Sequence, residues 1–138
     1  REEDKERALA LLDRGLEVLP SPKIRYTDAN TYPFIEAYYA LGEMEKGDKL
    51  LTDYATVLME YMEYYLLFDG YKANLVEGEI RNRMDSLTEL YYLAAFTKRN
   101  DLIEWFNKYY RTFGYTDEEL IKPGEDVNEI MDSPEVHM

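Results

Sequence analysis

The chain has 138 residues, 29 of them acidic and 16 basic, for a net charge of −13. That length suffices for one domain with a real core, since a chain of this size buries roughly two-thirds of its extended surface. The charge argues against a nucleic-acid partner, whose phosphates would be repelled, and against an electrostatic hold on anionic lipid.

Cysteine is absent, which excludes disulfide scaffolds, thiolate zinc sites and cysteine nucleophiles. Hydrophobic residues make up 46% of the chain, so it is not of disordered type. The longest apolar run, residues 90–96, has seven residues. A membrane helix needs about 20, so no direct membrane insertion is expected. No signal-peptide pattern opens the chain, and it begins at Arg1 rather than methionine. It is therefore expected to be an excised or processed piece of a longer protein.

Helical periodicity runs nearly throughout. A first helix is predicted over residues 3–19, with Ala8, Leu12, Leu16 and Leu19 on one stripe and Pro20-Ser21-Pro22 as its stop. After a polar connection over residues 23–30, a second helix spans about 31–41. Pro33 sits in its first turn, where a missing N–H costs nothing, and Gly42 supplies a permissive backbone at its end.

The third helix, about 46–68, carries Gly47, Leu51, Tyr54, Leu58, Tyr61, Tyr65 and Phe68 at alternating steps of four and three, and Asp69-Gly70 ends it. The fourth, about 75–98, has Val76, Ile80, Met84, Leu87, Tyr91 and Ala94 on one face. Asn100 reads as the N-cap of a fifth helix that buries Leu102, Phe106, Tyr109 and Phe113. No segment shows sustained period-two alternation, so no sheet is predicted. Residues 116–119 (TDEE) have capping-box spacing, which predicts one short helical turn before Pro123-Gly124. Residues 125–138 form an acidic tail.

Small residues mark where helices cross closely. Ala8, Leu12, Gly15 and Pro20 follow the small–large–small–proline spacing of a tetratricopeptide packing helix. Gly42, Met44, Gly47 and Leu51 begin a second such unit, which departs from the pattern at Tyr54 and Met59. Trp105 makes the last pair a capping hairpin rather than a faithful repeat. The fold class is thus all-α, about five helices in antiparallel hairpins forming a tetratricopeptide-like right-handed helical repeat. The expected domains are residues 1–115 and an acidic strap, 116–138.

The order of residues 4–13 (DKERALALLD), 37–46 (AYYALGEMEK), a long tyrosine-rich helix and 106–110 (FNKYY) resembles a bacterial family. These are the soluble C-terminal regions of polytopic membrane proteins of poorly defined function, themselves similar to protein O-mannosyltransferases. The resemblance covers about residues 3–113, and its motifs include no catalytic signature. It implies an accessory helical-repeat domain on the extracytoplasmic (periplasmic) side, with the transferase-like machinery in a separate membrane-spanning part. A cytoplasmic location stays open.

Tyrosine is the compositional outlier, with 14 residues and doublets at 38–39, 64–65, 91–92 and 109–110. Neighbours on a helix diverge by about 100°, so each doublet can place one ring in the core and one at its flank. The favoured reading is rings that border the hydrophobic stripes with wet hydroxyls. The alternative is a concave groove that stacks on glycans or grips a protein or peptide segment, with Tyr39, Tyr64, Tyr92 and Tyr110 as its exposed members.

Other constellations are weaker. Glu60 and Glu63 stand one turn apart, but helical di-metal sites add histidine to such a motif, and the single histidine is His137 near the C-terminus. Asp85 and Glu89 are like charges at i,i+4, while Glu77–Arg81 and Glu79–Arg83 form ordinary helical pairs. No catalytic residue, metal ligand or cofactor is assigned. The expectation is a non-catalytic interaction or substrate-presenting domain attached to a glycosyltransferase-like membrane protein. The alternatives are a carboxylate-dependent enzyme acting on glycans and a structural spacer or dimerisation domain.

Overall fold

Three acidic side chains, Glu2, Glu3 and Asp4, open the first helix, where the helix dipole favours negative charge. A computed structural model describes residues 1–17, 31–65 and 70–125. Among these residues the chain is all-α, with no strand. The helices are α1 (Glu2–Glu17), α2 (Tyr32–Ala40), α3 (Met44–Tyr65), α4 (Gly70–Phe96) and α5 (Asn100–Thr112), followed by a 3-10 turn, Asp117–Glu119. The expected stop at Pro20-Ser21-Pro22, the 23–30 connection, Phe68, Asp69 and the tail from residue 126 with His137 lie outside the described residues, as do the side chains of Leu16, Tyr65 and Val76.

One end-motif recurs at three helix termini. At the end of α2, the Gly42 N–H donates to the Tyr39 carbonyl and the Glu43 N–H to the Tyr38 carbonyl, at 3.0 and 2.9 Å. This crossed pair needs a left-handed residue at its centre, which Gly42 supplies with φ +80°. The same crossed bonds end α4 around Lys98, whose φ is 58°, and α5 around Gly114. At α5 the motif closes with its usual apolar contact: the Tyr110 and Tyr115 rings meet edge-on at 5.4 Å.

The chain forms two compact units, Arg1–Leu87 and Thr88–Met138. In the first, α2 packs against α3 and α1 against α2. Gly47 sits at the closest point: a Cβ there would lie 2.6 Å from Cε1 of Tyr39. Gly15 faces Phe34 in the same way, at 3.0 Å. The predicted seam of α3 is buried at Gly47, Leu51, Tyr54 and Leu58 and half-buried at Tyr61. Leu50, Ala55, Met59 and Met62 are buried beside it, which widens the seam into a broad stripe.

The second unit holds the end of α4, α5 and the described strap, around a core that includes Leu90, Tyr91, Ala94, Ile103, Phe106 and Leu120. Two expectations need correction here. The buried stripe of α5 is Leu102, Ile103, Phe106, Asn107 and Tyr110, while Tyr109 is half-buried and Phe113 is exposed. At 100° per residue the buried positions centre on Tyr110 and Ile103 rather than on Phe106, which brings Asn107 inward and leaves Tyr109 at the flank, while Phe113 is the C-cap beyond the last turn. Asn100 is also not the N-cap. It is the first helical residue, preceded by Arg99, because the motif ending α4 uses residues up to Arg99 and leaves no spacer before α5.

The expected i,i+4 pairs form, Arg81–Glu77 at 3.3 Å and Arg83–Glu79 at 3.7 Å. Arg83 also lies over the Tyr61 ring, 5.0 Å from its centroid.

The close approach at Gly47 gives a direct prediction. Gly47→Ala gains about 1 kcal/mol of helix propensity but forces a methyl into a buried ring, an overpacking cost of about 1–3 kcal/mol. The Tyr39 hydroxyl is bound to Asp48, so the ring cannot swing clear without losing that bond. The variant is expected to unfold at lower urea than the parent with an unchanged slope; equal or greater resistance would contradict the close approach.

Candidate functional site

In the first unit, Asp13 of α1 gathers groups from the other two helices. It accepts a hydrogen bond from the Tyr38 hydroxyl of α2 at 2.6 Å and one from Lys46 Nζ of α3 at 2.9 Å. Lys46 also stands 5.9 Å from the centre of the Tyr38 ring. The Lys46 ammonium and the phenol together hold the Asp13 carboxyl below its ordinary range, with Lys46 the larger cause. That is opposite to the shift a proton-donating carboxyl requires. Burial, reinforced by the carboxylate, pushes the Tyr38 phenol well above its usual value. One turn into α3, Asp48 accepts from the Tyr39 hydroxyl at 2.7 Å.

The second unit carries a closed ring of hydrogen bonds. The Tyr91 hydroxyl donates to Asn107 Oδ1 at 2.5 Å and accepts from the Ile121 N–H at 2.7 Å. Asn107 Nδ2 donates to the Ile121 carbonyl at 2.8 Å. Asn107 is 4% exposed and Tyr91 6%. Two side chains from adjacent helices thereby satisfy both main-chain groups of one residue outside any helix. Beside it Leu120 is buried, and Asn100 Oδ1 accepts from the Gly124 N–H at 3.0 Å. The turn before it is braced locally: Glu119 Oε1 accepts from both the N–H and the hydroxyl of Thr116, and Arg111 pairs with Asp117. The capping-box expectation for residues 116–119 is met by this 3-10 turn.

Comparison of the chain with protein families, curated proteins and solved structures finds no match.

The four tyrosines singled out from sequence divide. Tyr64 is exposed, at 55%, and Tyr92 is half-buried. Tyr39 and Tyr110, expected to be exposed, are buried at 6% and 5%. Tyr39 goes inward because Gly47 leaves room for its ring and Asp48 takes its hydroxyl. Tyr110 goes inward because the stripe of α5 runs through it, and it packs against Phe106 and Tyr91. Burial pushes the Tyr110 phenol upward.

The exposed aromatic side chains of the second unit are instead Phe96, Phe113 and Tyr115. Phe113 lies 4.9 Å from Tyr109, whose ring adjoins Tyr110, which in turn touches Tyr115. Among the described residues no group of three acidic or histidine side chains is placed to hold a metal ion. Glu60, Glu63, Asp85 and Glu89 are all exposed on helix surfaces. Sequence reading passed over Asn107 and Asp13. The signal for Asn107 was its place directly after Phe106 on a strongly amphipathic helix, a core-facing polar residue in need of a partner.

Asp13 sets a pH dependence. Its folded-state titration is depressed, so its contribution is fully present above the ordinary value of 3.8 and is lost as pH falls through the lower folded-state midpoint. The side chains are 40% and 45% exposed, so the screened pair contributes less than about 1 kcal/mol. In a carboxyl-detected NMR titration, Lys46→Met is expected to raise the Asp13 midpoint toward 3.8. An unmoved midpoint would show that the Lys46 contact does not persist in solution.

Proposed function

We propose that this chain is a non-catalytic interaction or substrate-presenting domain of tetratricopeptide-like helical hairpins, attached to a glycosyltransferase-like membrane protein and working on its extracytoplasmic side. The observation that carries the binding part is the exposed aromatic group at the end of α5. Phe113 and Tyr115 are 43% and 38% exposed and adjoin Tyr109 and Tyr110. Rings of this kind supply large contact area at low conformational-entropy cost and stack on peptide or sugar faces. Tyr64 and Tyr92 remain the accessible members of the tyrosine set, on different units.

The attachment rests on the resemblance of residues 4–13, 37–46 and 106–110 to the membrane-protein family, and on the close approaches at Gly15 and Gly47, which fit the packing positions of such hairpins.

Titration of the isotope-labelled chain with oligosaccharides and with extended peptides is expected to shift resonances of Phe113, Tyr115 and their neighbours. Phe113→Ala should then weaken the responding ligand by about tenfold. Shifts confined to other surfaces, or none at millimolar ligand, would remove the binding role. Several membrane-spanning segments encoded ahead of Arg1 are expected; their absence would remove the attachment.

A further inference from the structure

We propose that the Tyr91–Asn107 cradle of the second unit is a peptide-recognition site that binds an extended main chain, and that residues 120–124 occupy it as a built-in competitor. The partner it fits is an extended polypeptide segment with a large aliphatic residue, followed by a residue whose N–H and carbonyl are both free. This concerns a site other than the exposed rings at Phe113 and Tyr115, and it stands whether or not those rings bind.

Several observations converge on it. The cradle reads backbone: Tyr91 accepts the Ile121 N–H and Asn107 donates to the Ile121 carbonyl, the pair of contacts that a neighbouring strand would make. Those contacts are indifferent to the identity of the side chain at that position. The Ile121 side chain itself is only half-buried, whereas Leu120 is buried and supplies the apolar anchor. Asn100 takes one further main-chain N–H three residues on, from Gly124.

The two polar side chains that face the main chain are tied to each other by a hydrogen bond that does not involve the strap, which preorganises the site. The occupant, in contrast, is weakly committed. Among the described residues, beyond Leu120 it adds three hydrogen bonds to the cradle and Asn100, and its other bonds, Lys122 N–H to Glu125 and Glu125 N–H to the Lys122 carbonyl, are within itself. A segment held this way opens locally without global unfolding. Its presence in the same chain lowers the apparent affinity for a competing peptide by the fraction of time it is seated.

The test uses the full 138-residue chain and a fluorescent peptide of residues 116–125. In a variant with Leu120→Ser and Ile121→Pro, the anchor and the donated N–H are lost and the strap is released. This variant is expected to keep its helical circular dichroism and to bind the peptide about 100-fold more tightly than the parent chain, as removal of a 99%-seated competitor would give. In the released background, Asn107→Leu should reduce that binding by at least about tenfold, and Asn100→Ala, which touches only the Gly124 contact, by a few-fold.

A released variant that stays folded but takes up no peptide would overturn the proposal, leaving the strap a fixed cap. One that unfolds would overturn it too, since the strap would then be core. A released variant that dimerises instead of binding peptide would overturn it in favour of strap exchange between copies.

Discussion

The interaction on which this structure depends is the buried phenol whose hydroxyl reaches across to a second element. A buried tyrosine hydroxyl left unpaired costs about 1–3 kcal/mol, so a ring enters a helix interface at least cost where its hydroxyl finds a partner. Tyr38 meets that condition at Asp13, Tyr39 at Asp48 and Tyr91 at Asn107 and Ile121. Each bond joins elements that apolar packing alone would hold in contact but not in a fixed register. The first links α1 to α2, the second α2 to α3, and the third α4 to α5 and to the strap.

This also gives a reason for pairing so many tyrosines with so acidic a chain. With 29 acidic residues and 16 basic ones, the chain has too few cations to give every carboxylate one. A phenol is a neutral donor: it satisfies a carboxylate without requiring a charge to be desolvated with it. At Asp13 a phenol and an ammonium share one carboxylate; at Asp48 a tyrosine hydroxyl bonds the carboxylate from across the interface. The space for these rings comes from glycine. Gly47 lets the Tyr39 ring approach α3 where a Cβ would otherwise stand, so a small residue on one helix and a large polar aromatic on the next act as a single packing unit.

Much of the architecture was legible from periodicity and punctuation. The four-and-three spacing of α3, the turn at Gly42 and the capping spacing at Thr116 each follow from local rules and appear where those rules place them. The hydroxyl partners were not legible. Whether Tyr38 or Tyr39 faces the core depends on what the facing helix offers, and here it offers Asp13 to one and both a glycine gap and Asp48 to the other, so both are buried. Likewise the stripe of α5 turns by one residue toward Asn107 because Tyr91 and Ile121 await it, a contact separated in sequence by 16 residues on one side and 14 on the other. Local pattern carries no information about such pairings, and the surface role of Tyr110 was misread for that reason.

The most direct measurement is amide hydrogen exchange at Ile121, a residue outside any helix whose N–H donates to the Tyr91 hydroxyl. If the phenol clasp is real, this amide exchanges about 100-fold or more slowly than an unstructured one, yet faster than the amide of Phe106 in the interior of α5, because the strap opens locally before the unit unfolds. Exchange at the unstructured rate would show that the clasp does not form in solution, and the register it is held to impose would have to come from packing alone.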